Sequence, residues 1–239
     1  MKKATALSLV LLFSITVIHA QRKIKGNGNV VTIERTTGDY DALRVGGFYE
    51  VELVEGNEGN IVIKGEENLL EYIETEVKGG VLTIKSRDKM NMSPSRGEDV
   101  YITIPVEKID AVRLSGAGQL NSTKTLEANN FKVQTSGSRK AELNLNAKSI
   151  TVITSGSSDV KLSGSAEHID VTSSGSSNVN AFDLNVDKVE VRSSGSSDVN
   201  VSPKETLTTR VSGSGDVRYR GNPNKINNKI SGSGEVSKD

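Results

Sequence analysis

A six-residue phrase built on Ser-Gly recurs along the second half of the sequence at a nearly constant interval. Its clearest copy is SGSSDV at 155–160, and the glycines of successive copies are separated by 18 to 21 residues. These glycines are Gly116, Gly137, Gly156, Gly175, Gly195, Gly213 and Gly232. A fixed period of this length is typical of solenoid proteins, in which each repeat stacks on its neighbours. The repeat therefore restricts the chain to a stacked architecture.

Between the phrases, apolar residues occupy every second position, as in SITV at 149–152 and VEVR at 189–192. Alternation rich in Val and Ile predicts strands with one buried face. A leucine-rich repeat has a similar period but needs a lattice of Leu and an Asn position that the sequence lacks, and a propeller blade needs about 40 residues. We therefore predict an all-β fold, a parallel β-helix with repeats of about 19 residues.

Each position of the phrase has an expected structural role. The glycine permits a positive φ where the chain turns, and the residue that closes the phrase, such as Val160, is expected to point into the core. The residue before it, such as Asp159, then points outward because side chains alternate along a strand. The inward column comprises Leu120, Ala141, Val160, Val179, Val199, Val217 and Val236. On this interpretation the seven glycines are structural turn residues rather than a ligand site.

The phrase also invites chemical interpretations. A phosphate-binding loop needs a Lys and a following helix, which the pattern does not provide. Hydrolysis by a Ser–His pair would have to use His168, which alternation places on an outward face beside Asp170, so we expect an exposed polar residue there. A calcium-binding β-roll is an alternative, but the position of Asp159 is occupied by Lys140 in an earlier copy, which makes a poor oxygen cage.

A polysaccharide-acting enzyme is a second alternative, because many such enzymes are parallel β-helices. Those enzymes cluster acids, basic residues and aromatics on one sheet face, usually beside long loops. Here the repeats are short, and Asp159, Asp198 and Asp216 look like polar turn residues. We therefore expect no catalytic residue, no metal ligand and no cofactor.

The first twenty residues differ from the rest of the sequence. A basic start, Met1-Lys2-Lys3, precedes an apolar run from Ala4 to Ile18, and Ala20 offers a small residue before Gln21. This layout predicts a secretory signal peptide at 1–20, since the apolar run is short for a membrane span. We expect the mature chain to be exported, to the periplasm or the cell surface, and to contain no transmembrane segment.

The mature sequence is expected to contain three parts. Residues 21–34 are predicted to be a flexible segment, residues 35–110 a divergent β-helix portion that caps the stack, and residues 111–239 the regular repeats. The stretch Leu43–Leu53 is a diverged repeat, with Gly46-Gly47 where later copies carry Ser-Gly. An irregular first portion is typical of the cap of a solenoid.

Composition excludes several functions. The 30 basic residues balance the 30 acidic ones, so no basic patch favours nucleic acid. Tryptophan is absent, which leaves little material for stacking on bases. The absence of cysteine excludes disulfides and thiolate sites, so stability outside the cytoplasm must come from packing and backbone hydrogen bonds.

Several blocks of the mature chain, spread over residues 30 to 236, resemble one bacterial family. The matching blocks are Leu43–Leu53, GEENLL at 65–70, GGVLTI at 79–84, YITIP at 101–105, and LSGAG at 114–118 with its later copies. The chain resembles the family described as "putative auto-transporter adhesin, head GIN domain". This resemblance implies an exported, right-handed parallel β-helix, and the family offers no catalytic residues to carry over.

A binding or structural module, adhesin-like and in the cell envelope, is the function that these observations favour. We expect any binding surface to involve the irregular cap, with Tyr49, Tyr101 and the loop Arg87–Glu98, and to contact a cell-surface glycan or an envelope protein. The last repeat, Lys229–Val236, is expected to be an open sheet edge, blunted only by Lys238 and Asp239. End-to-end pairing into a homodimer is the expected consequence.

Overall fold

The computed structural model describes residues 22–88 and 90–239, and the predicted signal peptide lies outside them. The fold is all-β with one short helix, α1 (Glu67–Leu70). The strands are β1 (Arg22–Lys25), β2 (Val30–Thr36), β3 (Ala42–Gly47), β4 (Glu50–Glu55), β5 (Asn60–Glu66), β6 (Ile73–Lys78), β7 (Val81–Ser86), β8 (Met90–Ser93), β9 (Tyr101–Val106), β10 (Ala111–Gly156), β11 (Asp159–Ser173), β12 (Asn178–Gly195), β13 (Asp198–Gly213), β14 (Val217–Tyr219), β15 (Lys225–Gly232) and β16 (Val236–Lys238).

The regular half of the chain is a large sheet in which successive repeats pair in parallel. β10 pairs with β11, β11 with β12, and β12 with β13. The register joins equivalent positions of neighbouring repeats, since Ala141 lies opposite Val160, Val160 opposite Val179, and Val179 opposite Val199. The predicted all-β, mostly parallel architecture is therefore confirmed.

The core of this half consists of columns of aliphatic side chains. Val160, Val179, Val199 and Val217 are each at most 1% exposed, whereas Asp159 beside them is exposed. Each fully buried Val contributes roughly 1.5–3 kcal/mol relative to an exposed one. Alternation along the strand thus separates a buried column from a solvated row at every repeat.

The glycines of the phrase lie directly on one another. All seven have φ between +85° and +129°, a region that non-glycine residues rarely adopt. A Cβ at Gly156 would also lie 2.7 Å from the carbonyl oxygen of Gly137, which is too close for any side chain. The stack therefore requires glycine both for its backbone conformation and for the close approach of successive repeats.

The N-terminal portion begins as one diverged repeat. Gly46 lies opposite Ser115 and Gly47 opposite Gly116 in the parallel pairing of β3 with β10, which confirms the alignment of Gly46-Gly47 with Ser-Gly. β4 pairs with β10 in the same way, and β7 and β9 add one more parallel strand to β3 and β4. Antiparallel strands then follow, β6 on β7 and β5 on β9, with β2 on β5.

The expectation of a flexible segment at 21–34 is wrong for the residues that the structure describes. β1 pairs with β8 in parallel, and β2 pairs with β5 along seven residue pairs. The alternation in β2 explains the difference, because Val31 and Ile33 pack against the core while Thr32 is exposed. Within residues 22–88 and 90–239, no helix is long and apolar enough to span a membrane.

Candidate functional site

Tyr101 is the aromatic residue that the structure presents most openly. Tyr101 is 50% exposed. Among the large hydrophobic residues of the described ranges, only Ile226 and Ile230 are also exposed. β9 places it there by alternation, because Ile102 and Ile104 are buried and the intervening residues point outward. An exposed ring anchored in a rigid strand is a preformed contact surface.

Polar side chains flank this ring on both neighbouring strands. Glu50 of β4 lies opposite Tyr101 on one side and Lys64 of β5 on the other. A shallow depression of about 220 Å³ beside the ring is lined by Glu50, Val51, Glu52, Tyr101, Ile102, Thr103, Gln119 and Asn121. The ring thus has carboxylate, amide and hydroxyl groups within one concave patch.

The same row of outward side chains continues along the regular repeats. Gln119 lies opposite Glu50, and Lys140, Asp159, Asn178 and Asp198 follow strand by strand. A second depression of about 290 Å³ is lined by Lys140, Asp159, Val160, Lys161, Asn178, Asn180, Asp198, Asn200, Asp216 and Arg218. We call the residues that line these two depressions the Tyr101 face.

The electrostatics of the Tyr101 face are mixed rather than of one sign. Burial raises the pKa of Glu50, and the nearby Asp99 raises it further, while Arg139 and Lys140 act in the opposite direction. Asn178 Nδ2 donates to Asp159 Oδ1 at 2.8 Å, so amide and carboxylate groups order each other along the row. The face therefore offers donors and acceptors without a strong net field.

Tyr49 is not on this face, and its predicted place on a binding surface is wrong. Its side chain is 0% exposed, and its hydroxyl forms a 2.7 Å hydrogen bond with Ser86 Oγ. Burial raises the pKa of Tyr49 to about 12. Tyr49 occupies the fourth position of its diverged phrase, which is also the position of the fully buried Ser158, so alignment on the repeat predicts burial.

Arg139 occupies that same fourth position and was not predicted as a special residue. It is 1% exposed, and its guanidinium donates to the carbonyl oxygens of Ser115 (2.8 and 3.0 Å), Gly47 (3.0 Å) and Tyr49 (3.2 Å). Burial lowers the pKa of Arg139 to about 10, so the group remains charged at neutral pH. The signal in the sequence is the departure from the phrase, with Arg where later copies carry Ser or Gly.

Gly118 makes room for this arginine. A Cβ at Gly118 would lie 2.9 Å from Arg139 Nη1 and 2.4 Å from the carbonyl oxygen of Tyr49. The guanidinium therefore passes over one repeat and joins the regular stack to the diverged first repeat. Because it donates to three backbone carbonyl groups at once, its role is to position the strands that carry Glu50 and Gln119.

The loop Arg87–Glu98 is anchored at its centre. Met92 is 6% exposed, and Ser95 donates from its backbone N–H (2.8 Å) and its hydroxyl (2.6 Å) to the buried carboxylate of Glu66. The exposed residues 96–99, at the end of the loop, are followed by the buried Val100 and then by β9. The loop thus borders the strand that carries Tyr101.

The side chains that could serve catalysis or calcium binding, His168, Asp198 and Asp216, lie within the strand pairing or accept backbone hydrogen bonds. His168 is half-buried between Ser149 and Lys188 in the strand register. Asp198 Oδ1 accepts from the backbone N–H of Asp216 at 3.0 Å, and Asp216 Oδ1 accepts from the N–H of Glu235 at 2.9 Å. Within the described part of the chain, no three His, Cys, Asp or Glu side chains gather as a metal site would require.

A wider groove of about 690 Å³ runs along another side of the stack. Its lining includes a row of small residues, Ala128, Ala147 and Ala166, together with lysines and acids. Lys204 lies 3.8 Å from Asp187 in this groove, so charges of opposite sign face each other across it. No aromatic residue lines it, in contrast to the Tyr101 face.

Fold and site together define an all-β repeat protein with an extended polar face and, among residues 22–88 and 90–239, one exposed aromatic ring. A family model described as "putative auto-transporter adhesin, head GIN domain" matches residues 39–223. The chain belongs to this family, which supports an adhesin-like binding protein.

Solved structures show the same fold at low sequence identity. A "putative adhesin" from Bacteroides fragilis has a TM-score of 0.83 and 21% identity, with 90% of this chain and 100% of that one covered. A "putative lipid binding protein" from Parabacteroides distasonis has a TM-score of 0.75, 22% identity and coverage of 91% and 100%. A "putative adhesin" from Parabacteroides merdae has a TM-score of 0.68, 20% identity and coverage of 91% and 99%. No curated protein matches the chain.

Proposed function

We propose that this chain is an exported, non-catalytic adhesin-like module that binds an extended glycan along the Tyr101 face. The observation that carries the proposal is the half-exposed Tyr101 ring beside Glu50, Gln119 and Asn121. Sugars present apolar C–H faces that pack on an aromatic ring, and hydroxyl groups that bond to amides and carboxylates. Both kinds of partner lie within this one patch.

The geometry of the face suits an extended ligand. Neighbouring strands lie about 4.8 Å apart, which is close to the length of one sugar residue in an extended chain. The outward side chains of Lys140, Asp159, Asn178 and Asp198, one on each successive strand, therefore repeat at an interval that successive sugars could follow. Family membership and the surface of mixed charge support a binding role for this face.

We also propose the finer architecture that this function needs: a right-handed parallel β-helix with a cap at 35–110 and regular repeats at 111–239. The parallel register between equivalent positions of β11, β12 and β13 supports a coil of about 19 residues. The antiparallel strands β5 and β6 support the cap. The seven stacked glycines then serve as structural turns.

Tyr101→Ala tests the proposal. Binding of the purified chain to an array of cell-surface polysaccharides is compared between the wild type and this variant. We expect at least about a fivefold loss of affinity for whichever glycan the wild type retains, because an aromatic anchor at the centre of a contact commonly contributes more than about 1 kcal/mol. Gln119→Ala, on β10 and separated from β9 by β4, should weaken binding of the same glycan.

Two controls make the result specific. Tyr101→Phe keeps the ring and should retain most of the binding, and Thr172→Ala changes an exposed residue elsewhere and should leave it unaltered. If the wild type binds glycans and Tyr101→Ala binds them equally well, the face is not the site. If the wild type binds envelope proteins and no glycan, the glycan proposal fails.

A further inference from the structure

β15 is a sheet edge that the described part of the chain leaves uncovered. It pairs with β13 alone, and all eight of its residues are exposed. Ile226 is 41% exposed and Ile230 is 44% exposed. An open parallel edge with two exposed isoleucines is a template for pairing with another strand.

The two isoleucines are exposed because they continue the core columns. Ile226 lies opposite Leu207, and Ile230 lies opposite Val211, and both of those partners are at most 2% exposed. Between them, Asn228 accepts a 3.0 Å hydrogen bond from Thr209 Oγ1. At β15, therefore, the buried columns of the stack end without a cover among residues 22–88 and 90–239.

We infer that this edge pairs with the same edge of a second copy, antiparallel and centred on Asn228. Ile226 and Ile230 lie two residues before and two after Asn228, so a two-fold axis there places Ile226 of each copy opposite Ile230 of the other. Such an isologous contact closes on itself and gives a dimer rather than a fibre. This inference does not depend on the glycan proposal.

The charges of β15 favour this register. Edge lysines usually discourage pairing, and β15 carries Lys225 and Lys229. In the register centred on Asn228, Lys229 lies opposite Asn227 and Lys225 lies opposite Ser231, so no cation faces another cation across the axis. Like charges directly opposite each other are destabilising in a sheet, and this arrangement avoids them.

Sedimentation of the purified chain over a range of concentrations measures the association. We expect a shift from the mass of one chain to the mass of two as concentration rises. The double variant Ile226→Lys with Ile230→Lys should remain a monomer, because each Lys would face another Lys. Ile226→Glu with Ile230→Glu should also remain a monomer, while an equimolar mixture of the two variants should form heterodimers.

A third variant tests the register itself. Ile226→Lys combined with Ile230→Glu in one chain places Lys opposite Glu at both ends of the axis and should restore the homodimer. Circular dichroism on each variant checks that the β content is unaltered. A wild type that stays monomeric at every concentration overturns the inference. The inferred register is also overturned if the wild type dimerises but the Ile226→Lys, Ile230→Glu variant stays monomeric.

A single cysteine gives an independent measurement, since the chain has none of its own. Asn228→Cys should form a disulfide between copies under mild oxidation, because directly opposed residues of antiparallel strands lie within the range of a disulfide. Ser176→Cys, an exposed position in a distant turn, is the control and should not cross-link at the same rate. Equal cross-linking of the two variants would contradict the inferred axis.

Discussion

At the scale of the residue, two separate constraints require glycine at the stacked positions. Gly156 combines a φ of +85° with a carbonyl oxygen of the previous repeat at 2.7 Å from the position of a Cβ. The first constraint would apply to any tight turn. The second exists only because one repeat lies directly on the next.

Gly156→Ala should therefore destabilise the fold more than an ordinary turn substitution. We expect a loss of roughly 2–4 kcal/mol in the free energy of unfolding, from a left-handed backbone cost of about 1–2 kcal/mol plus the clash. Urea denaturation followed by circular dichroism measures it.

Gly79→Ala is the matched control for the backbone term. Gly79 has a φ of +58°, but nothing lies within 4 Å of a Cβ built there. Its substitution should cost about 1 kcal/mol. Equal losses at the two glycines would show that the stack tolerates a methyl group.

The repeat makes the positions of the stacked glycines and of the buried aliphatic residues predictable from the sequence. A period of about 19 residues aligns equivalent positions, so the glycines and the column containing Val160 and Val179 follow from counting. For Tyr49, position in the phrase determines burial, and its aromatic character does not place it on the surface. Arg139 stands out in the sequence only because it departs from the repeated phrase. Its three carbonyl partners depend on the space at Gly118, and the order of residues along the chain does not predict that space.

At the scale of the element, Glu66 joins the N-terminal strands to the loop before β9. Its carboxylate is 2% exposed and accepts hydrogen bonds from Ser95 and from the backbone N–H of Gly28. Burial opposes the ionised form, but the hydrogen bonds from Ser95 and Gly28 outweigh it and hold the pKa of Glu66 below its usual value. The segment expected to be flexible is thus fastened by one buried acid.

This carboxylate gives stability a defined dependence on pH. Because the pKa is lower in the folded state, the contribution of Glu66 is present above the unfolded pKa, near 4.3, and disappears as pH falls through the folded pKa. Glu66→Gln should lower the urea midpoint at pH 7 and flatten its decline between pH 5 and pH 3. Glu71→Gln, at an exposed neighbouring residue, should leave the urea midpoint at pH 7 and its decline at low pH unaltered. If the urea midpoints of the wild type and both variants declined in parallel, Glu66 would not be the source of the pH dependence.

The sequence predicts where the strands lie along the chain better than it predicts which strands pair with each other. Alternation indicated strands throughout, and the parallel stacking of β11 to β13 followed from the period. The antiparallel additions of β2, β5 and β6 could not be predicted, because they depend on which edge is left open after β7 and β9 are in place. The Tyr101 face depends on that arrangement, since β5 and β4 supply the neighbours of the ring.

At the scale of the whole molecule, the predicted export is open to direct measurement. Cleavage after Ala20 should give a mature protein that begins at Gln21, and intact mass of the protein from the cell envelope checks this. Ala20→Arg should block processing, since a small residue is required at that position. A mature protein that retains Met1 would contradict the prediction, and digestion by protease added to intact cells would distinguish the surface from the periplasm.

The glycine stack also makes the distance between Tyr101 and Asn228 depend on the number of whole repeats between them. Each repeat presents a glycine, an inward aliphatic residue and an outward polar residue to the next, so a whole repeat can be gained or lost without altering either Tyr101 or Asn228. The separation of these two residues then changes in discrete increments of roughly 4.8 Å. A partial repeat would reverse inward and outward residues. The separation between Tyr101 and Asn228 can therefore evolve only by the gain or loss of whole repeats.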